Sequence, residues 1–338
     1  MELPEIKHVD AKDPREAVSL LCEYGDRAKV IAGATDLLGI MKDGLEGPEL
    51  KTPEILVNIK TIPEMARIEY EEDGSLRIGA AVTLDRIETS QIISQKFGIL
   101  SQAASVVGTL QLRNMGTIGG NICQRPRCMY FRHPHFICRK KGGEKCYAIT
   151  GEHRDYYSIF LKKRKCVMAH PSDMGPALVA LNANVVIAGS EGKREMALQD
   201  FFIGPDQVTE TSLRPDELLV EFLVPNQGVK TYQCFSKRRI RRSFDFALAS
   251  VAAVARIDEE VCREIRIVLG GVAHYPIVAT GAEQVLKGKK LSDELISTAA
   301  DVSVEKAQPL PMNGYKRDLT RVSVKRALHT LRQESSST

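Results

Sequence analysis

Residues 113–173 carry two kinds of chemistry side by side. Residues 113–121 read Arg-Asn-Met-Gly-Thr-Ile-Gly-Gly-Asn, and the chain passes at once into a segment holding Cys123, Cys128, Cys138, Cys146 and Cys166. It closes on His-Pro-Ser-Asp at 170–173. Adjacent glycines such as Gly119 and Gly120 let backbone approach a ligand closely, so the turn at 117–121 is read as offering bare N–H groups to a phosphate. The cysteines offer thiolates to a soft metal centre. A phosphate-bearing cofactor beside an iron–sulfur cluster is the sharper reading, and it implies electron transfer. Four thiolates suit structural zinc as well, although neither spacing is the tight Cys-x-x-Cys of most zinc ribbons. On these residues alone the two metals stay level.

The same segment is rich in cations: Arg125, Arg127, Arg132, Arg139, Lys140, Lys141 and residues 162–165. The plain reading is a solvated loop whose charge offsets an anionic thiolate cluster. A nucleic-acid surface is the rival, but an organised stacking platform is missing. A second basic run at 237–242 could face a partner, a cofactor phosphate or only solvent. His133, His135 and His153 read as loop residues and His170 as part of the turn, since the cysteines already suffice as ligands. No Ser-His-Asp order stands out, nor a carboxylate pair in an apolar setting. That suits a protein whose cofactors carry the chemistry while its side chains position them.

Several elements must hold these groups in place. The chain has 338 residues, 43% hydrophobic and 27% charged, which predicts a soluble globular protein of two or three domains. A net charge of +4 is too small to imply nucleic acid by itself. No run approaches ~18 apolar residues, and the acidic start Met-Glu-Leu-Pro-Glu-Ile has no signal core, so a cytoplasmic location is expected. Thiolate ligation is then a better prior than disulfides, with Cys22, Cys234 and Cys262 as ordinary buried thiols. Residues 13–25 predict a helix capped by Asp13 and ended by Gly25. At 28–38 a short apolar strand runs into a small-residue turn and a helix starting near Asp36, a junction that suits a diphosphate. Strands are predicted at 54–59, 76–84, 184–188 and 217–224, and helices at 100–107 and 174–183. The Pro225 turn at 226–228 is the best domain boundary. Beyond it, antiparallel strands at 232–237, 247–257 and 264–272 precede helices at 282–286, 293–306 and 319–332, an α+β pattern with a frayed tail at 334–338.

With both glycine turns, the His-Pro-Ser-Asp turn and Phe235-Ser236-Lys237 in view, the chain resembles a known family. It is similar to the FAD-binding medium subunits of the molybdenum hydroxylases, the xanthine dehydrogenase and carbon monoxide dehydrogenase group. The likeness covers nearly the whole length, including the Gly270-Gly271-Val272-Ala273 strand and residues 315–328. It implies an α+β fold: a PCMH-type FAD-binding domain at 1–226, built of two α/β subdomains at 1–60 and 61–226, then a C-terminal α+β domain at 227–333 with an antiparallel sheet and helices. It further implies that Val30, Ile31, Ala32, Gly33, Ala34, Thr35, Asp36 and Leu37 wrap one side of the FAD diphosphate, and Thr117, Gly119, Gly120 and Asn121 the other. Gly108, Leu112, Asp173, Leu219 and Lys237 complete the implied flavin site. Ala34 stands where the commoner pattern has glycine.

Ordinary members lack an insertion like that at 123–166. Its presence resembles two subtypes with an added [4Fe–4S] cluster, the bacterial aldehyde oxidoreductases and the 4-hydroxybenzoyl-CoA reductases. The Cys138–Cys146 spacing looks like the reductase type. Gln124-Arg-Pro-Arg-Cys128, the His-Pro-Ser-Asp turn and Gly-Gly-Val-Ala-His274 look more like the oxidoreductases. The expected ligands are Cys123, Cys138, Cys146 and Cys166, with Cys128 the competitor for the first place. The implied function is electron transfer by FAD and this cluster in an aldehyde oxidoreductase. Implied partners are a large molybdenum-cofactor subunit and a small subunit with two [2Fe–2S] clusters, in a dimer of heterotrimers. Neither nucleic acid nor membrane is an expected partner. The complex would be cytoplasmic unless exported on a partner's twin-arginine signal. A zinc-stapled nucleic-acid or scaffold protein is the alternative of another class.

Overall fold

The computed structural model describes residues 5–161, 165–241 and 243–336. Three sheets succeed one another along the chain. The first is small and parallel: strands β1 (Lys7–Asp10) and β2 (Ala28–Ile31) flank β3 (Ile55–Asn58). Helix α1 (Pro14–Tyr24) makes the crossover from β1 to β2, and the Asp13 carboxylate caps it by accepting the Glu16 N–H at 2.9 Å. A tight turn then joins β2 to α2 (Leu37–Lys42). The carboxyl end of β2 is thereby left facing open space, where parallel sheets bind ligands.

The second sheet is antiparallel, with β4 (Ile68–Tyr70), β5 (Leu76–Gly79), β6 (Asn184–Gly189), β7 (Gly192–Ala197) and β8 (Leu218–Val224) in the order β4-β5-β8-β6-β7. The strand predicted at 76–84 stops at Gly79. Thr83 accepts the Arg86 N–H and starts α3 (Leu84–Thr89) instead, so a cap overrides the apolar run. From there the chain makes a long excursion before β6. It forms α4 (Gln91–Lys96), α5 (Gly98–Ser105), α6 (Leu110–Met115) and α7 (Ile118–Ile122), then the cysteine segment and α8 (Met174–Ala180). The short α9 (Leu198–Phe201) follows β7.

The third sheet runs β12-β11-β10-β9, with β9 (Thr231–Arg238), β10 (Ala249–Asp258), β11 (Val261–Gly270) and β12 (Ile277–Val278); β13 (Lys289–Lys290) also pairs with β11. Helices α10 (Thr280–Leu286), α11 (Asp293–Ser303) and α12 (Tyr315–Ser336) cover one face. Alternate β10 residues divide between two cores. Val251, Ala253 and Ala255 pack with those helices, whereas Ala252 and Val254 join the core shared by the first two sheets. Burial on both faces explains why β10 reads as an almost unbroken apolar run. The turn at 226–228 lies between β8 and β9, yet the larger core continues across it. Helix α12 extends through 334–336, where a frayed tail was predicted; the last two residues lie outside the described ones.

Lys316, at the start of α12, ties the far arm of the cysteine segment to β11. Its fully buried Nζ donates to the carbonyls of Asp155 and Tyr157, each at 2.7 Å, and Gly271 at 2.8 Å. Beside it, Asn313 donates to the Ser158 carbonyl at 3.1 Å, and the buried His153 accepts the Met312 N–H at 3.2 Å. Lys316→Met leaves the three carbonyls without their donor, and it should lower stability by about 2–4 kcal/mol. The drop is measured by chemical denaturation of the full chain, with earlier proteolytic cleavage at 153–158 as the local sign.

Candidate functional site

A cleft enclosing about 450 Å³ opens between the two N-terminal sheets and β9. All the residues implied for the flavin site line it: 30–37 from β2 to α2, Gly108 and Leu112 near α6, Thr117, Gly119, Gly120 and Asn121 of α7, then Asp173, Leu219 and Lys237. The two glycine turns touch. A Cβ at Gly33 would collide with the Met115 carbonyl, so only glycine lets β2 run this close to the start of α7.

The turns offer different things to a ligand, and here the sequence reading needs correction. The N–H groups of 117–121 were expected to be bare. Instead Ile118 donates to the Val82 carbonyl and Gly119 to that of Ala80, both at 2.9 Å. Gly120 donates to Thr117 Oγ1 at 3.1 Å and Asn121 to the Thr117 carbonyl at 2.8 Å. This stretch is a capped helical turn, and its donors are spent inside the fold. The free donors belong to the other turn, where the N–H groups of residues 33–36 have no partner among the described residues. Ala34 holds φ at +61°, so the chain keeps a left-handed kink with alanine at a strain on the order of 1 kcal/mol.

The adjacent glycines also part company. Gly119 is buried, and a Cβ there would stand 2.8 Å from both the Cβ and the carbonyl oxygen of Ala80. Gly120 is exposed to the cleft, and its Cβ would meet only Thr117 Oγ1, at 3.1 Å. Asn121 is oriented by Ser172, whose hydroxyl donates to Asn121 Oδ1 at 2.5 Å and accepts the Gly175 N–H at 2.9 Å. Next along, Asp173 forms a buried ion pair with Lys237 at 2.7 Å, and Lys237 also donates to the Val106 carbonyl at 3.0 Å. Burial pushes the Asp173 carboxyl up, and the Lys237 ammonium opposes that shift. Asp173 Oδ1 is left buried with no partner at the cleft wall, so it is an acceptor waiting for a donor.

A second, much smaller pocket lies behind the cleft. Cys128, Cys138, Cys146 and Cys166 line it together with Phe131, Tyr147 and Met168. Cys123 is not there; it lines the cleft. The preference for Cys123 over Cys128 is therefore corrected: α7 keeps Cys123 beside the glycine turn, and of the two cysteines only Cys128 reaches the pocket. Burial, with Glu210 nearby, pushes the Cys123 thiol up, and burial raises Cys128 and Cys138 as well, so position and not acidity separates them. The Gly142-Gly143 turn folds Cys138 back towards Cys146: Gly142 is left-handed at φ +89°, and Gly143 N–H donates to the Cys138 carbonyl at 3.0 Å. Cys146 shares a hydrogen bond with Cys166, which lowers the first thiol and raises the second. The Cys166 carbonyl bonds to His274 Nε2 at 2.7 Å. Among the described residues no three His, Cys, Asp or Glu side chains converge on one ion position.

The cations of this segment do not form a solvated loop. Lys140 and Lys141 are 2% and 0% exposed. Asp36 lines the cleft in the 33–36 turn, and its side chain receives Arg127 at 2.9 Å, Arg132 at 2.6 Å and the Arg125 N–H at 2.7 Å. Residues 162–164 and Arg242 of the basic runs lie outside the described residues. Cys234 and Cys262 are buried as predicted, but Cys22 is exposed; among the described residues every cysteine is a free thiol. Arg125, Arg127, Phe244 and Phe246 also line the cleft, and sequence reasoning gave them no place in it. The only hint was the position of Arg125 and Arg127, between the glycine turn and Cys128.

A cleft at the carboxyl end of a parallel strand, floored by a Cβ-free turn and edged by unpaired N–H donors, defines a nucleotide-cofactor-binding α+β protein. Relatives narrow this class. The family model "FAD binding domain in molybdopterin dehydrogenase" matches residues 4–227, and "CO dehydrogenase flavoprotein C-terminal domain" matches residues 233–331. The aldehyde oxidoreductase FAD-binding subunit PaoB of Escherichia coli is 36% identical over 85% of this chain and 88% of its own length. The carbon monoxide dehydrogenase medium chain of Hydrogenophaga pseudoflava is 29% identical over 96% of both chains. A solved structure of the Hydrogenophaga pseudoflava carbon monoxide dehydrogenase that lacks the Mo-pyranopterin moiety superposes with a TM-score of 0.75 at 28% identity, covering 97% of this chain and 98% of that one. The chain belongs to the FAD-binding medium subunits of the molybdenum hydroxylases, and it is an oxidoreductase subunit. That family membership sets aside the scaffold and nucleic-acid alternative. No helix among the described residues is long and apolar enough to cross a membrane.

The two glycines can be told apart by substitution. Gly120→Val should leave the fold intact and abolish flavin retention, because its side chain enters the cleft. Gly119→Val should lower the melting temperature, because its side chain meets Ala80. Absorbance of released flavin and a thermal melt of each variant check both halves; equal melting temperatures with equal flavin loss would contradict the division.

Proposed function

We propose that the chain is the FAD and [4Fe–4S] electron-transfer subunit of an aldehyde oxidoreductase complex. One observation carries the reading: the chain passes from the cleft to the cysteine pocket within a few residues. Cys123, Arg125 and Arg127 line the first, Pro126 and Cys128 the second. When bound, FAD supplies two-electron chemistry and the cluster a one-electron relay. The protein's part is to hold them close together and exclude water. The N–H groups of 33–36 take the diphosphate, and Gly120 lets it approach. Asp173 Oδ1 accepts a donor from the flavin's polar edge, and Leu219 packs on the ring system. Cys128, Cys138, Cys146 and Cys166 are the four ligands, one for each iron of the cluster.

The oxidoreductase type is supported by the PaoB likeness and by His274, whose bond to the Cys166 carbonyl gives the Gly-Gly-Val-Ala-His run a role at the cysteine pocket. The 4-hydroxybenzoyl-CoA reductase type is the second reading, favoured by the Cys138–Cys146 spacing. In either case the substrate pocket belongs to a large molybdenum-cofactor subunit, and a small subunit carries two [2Fe–2S] clusters, in a dimer of heterotrimers. We place the complex in the cytoplasm, and divide this chain into an FAD-binding domain at 1–226 and a C-terminal domain at 227–333.

Co-expression with those partners and assay against aldehydes and aromatic acyl-CoA thioesters decides between the types. For the cluster, serine at Cys128, Cys138, Cys146 or Cys166 should each remove about four irons per chain and the matching electron paramagnetic resonance signal. Cys123→Ser should keep both. Iron retained in all five variants would rule the cluster out, and loss at Cys123 but not Cys128 would restore the first assignment.

A further inference from the structure

The cysteine segment carries a cation that its metal pocket does not use. Behind the cleft, Arg125, Arg127, Arg132 and Lys140 face two carboxylates, Asp36 and Glu210. Asp36 takes Arg127 and Arg132; Glu210 takes Arg125 at 2.8 Å and Lys140 at 3.1 Å. Glu210 and the Lys140 side chain are 2% and 3% exposed, so the excess of cations over carboxylates is sheltered from water, where uncompensated charge is costly. Lys140 also borders the cysteine pocket, but Arg125 and Arg127 border the cleft. Arg125 already has backbone acceptors, the carbonyls of Lys140 at 2.8 Å and Val208 at 3.1 Å. Arg127 differs. Its Nη2 pairs with Asp36 at 2.9 Å and donates to Gln124 Oε1 at 3.2 Å, its face lies 4.7 Å from the Phe246 ring, it has no backbone acceptor among the described residues, and its Nε is buried with no partner.

Asp36, whose carboxylate grips Arg127, is the last residue of the 33–36 turn with its free N–H groups. Oxidised FAD carries its negative charge at neutral pH on the diphosphate alone, so that group is the part of the ligand able to answer a cation with a free Nε–H beside free amides. We propose that Arg127, supplied by the cysteine segment, is a diphosphate-binding residue of the flavin cleft. The inference rests on the FAD reading. On it, the segment completes the flavin site as well as holding metal.

The test splits the cofactor in two. Full-length protein stripped of flavin is titrated with ADP, which has the diphosphate and no isoalloxazine, and with riboflavin, which has the reverse. Calorimetry should show binding of both to the wild type. Arg127→Gln should weaken ADP and FAD about ten- to a hundredfold and leave riboflavin unchanged, with Arg127→Lys falling between. Added salt should erode ADP binding to the wild type more steeply than to Arg127→Gln. Unchanged ADP affinity in Arg127→Gln would overturn the proposal. So would a parallel loss of riboflavin, which would make Arg127 a packing residue. Wild-type protein that takes up no FAD would instead sink the flavin reading itself.

Discussion

One carboxylate joins the two halves of the site. Asp36 ends the turn that follows β2, and its oxygens are held by Arg127, Arg132 and the Arg125 N–H, all from the cysteine segment. The pairing is largely shielded from solvent, so its loss would strand cations in the interior rather than release them to water. The cysteine segment has little regular structure of its own, only two single turns of 3-10 helix among the described residues. Its shape is set by such attachments: Asp36 at the near end, Glu210 in the middle and Lys316 at the far end. Three long-range anchors substitute for a sheet.

This dependence on distant partners explains what the sequence could and could not disclose. Local signals were legible. Asp13, Pro14 and Gly25 delimit α1 as their chemistry demands, and the parallel strand before 33–36 announces a ligand turn. The residues that line the cleft could be named because family resemblance supplies positions that physics alone would not rank. What remained illegible turns on where side chains and hydrogens go in space. A Gly-Gly pair looks like exposed backbone, but here the Ala80 carbonyl and Thr117 Oγ1 use up its donors. Cys123 and Cys128 differ by only a few positions, and only the direction of α7 separates them. Likewise a run of arginines and lysines reads as solvated until Asp36 and Glu210, far away in sequence, are seen to draw it inward.

The cleft and the cysteine pocket are also built on different physical terms. Apolar and Cβ-free surfaces dominate the cleft wall, with single polar groups such as Asp173 Oδ1 aimed into it. The cysteine pocket is small and aromatic, with Tyr130, Phe136 and Tyr147 packed edge to face and aslant near Cys146. A wall of this kind lowers the local dielectric, so hydrogen bonds such as that at the Cys166 carbonyl weigh more there than they would in water.

The two-faced burial of β10 has a consequence for how such chains can change over generations. A strand that serves one core can be exchanged with its domain, because the rest of the molecule does not register the swap. Here Ala252 and Val254 are part of the N-terminal core, while their neighbours Val251 and Ala253 belong to the C-terminal one. A recombination event at 226–228 would bring in a foreign sheet whose inner face had been fitted to someone else's α5 and α8. Gene shuffling at the most obvious seam would therefore tend to fail, and the two family segments are expected to be inherited as a pair.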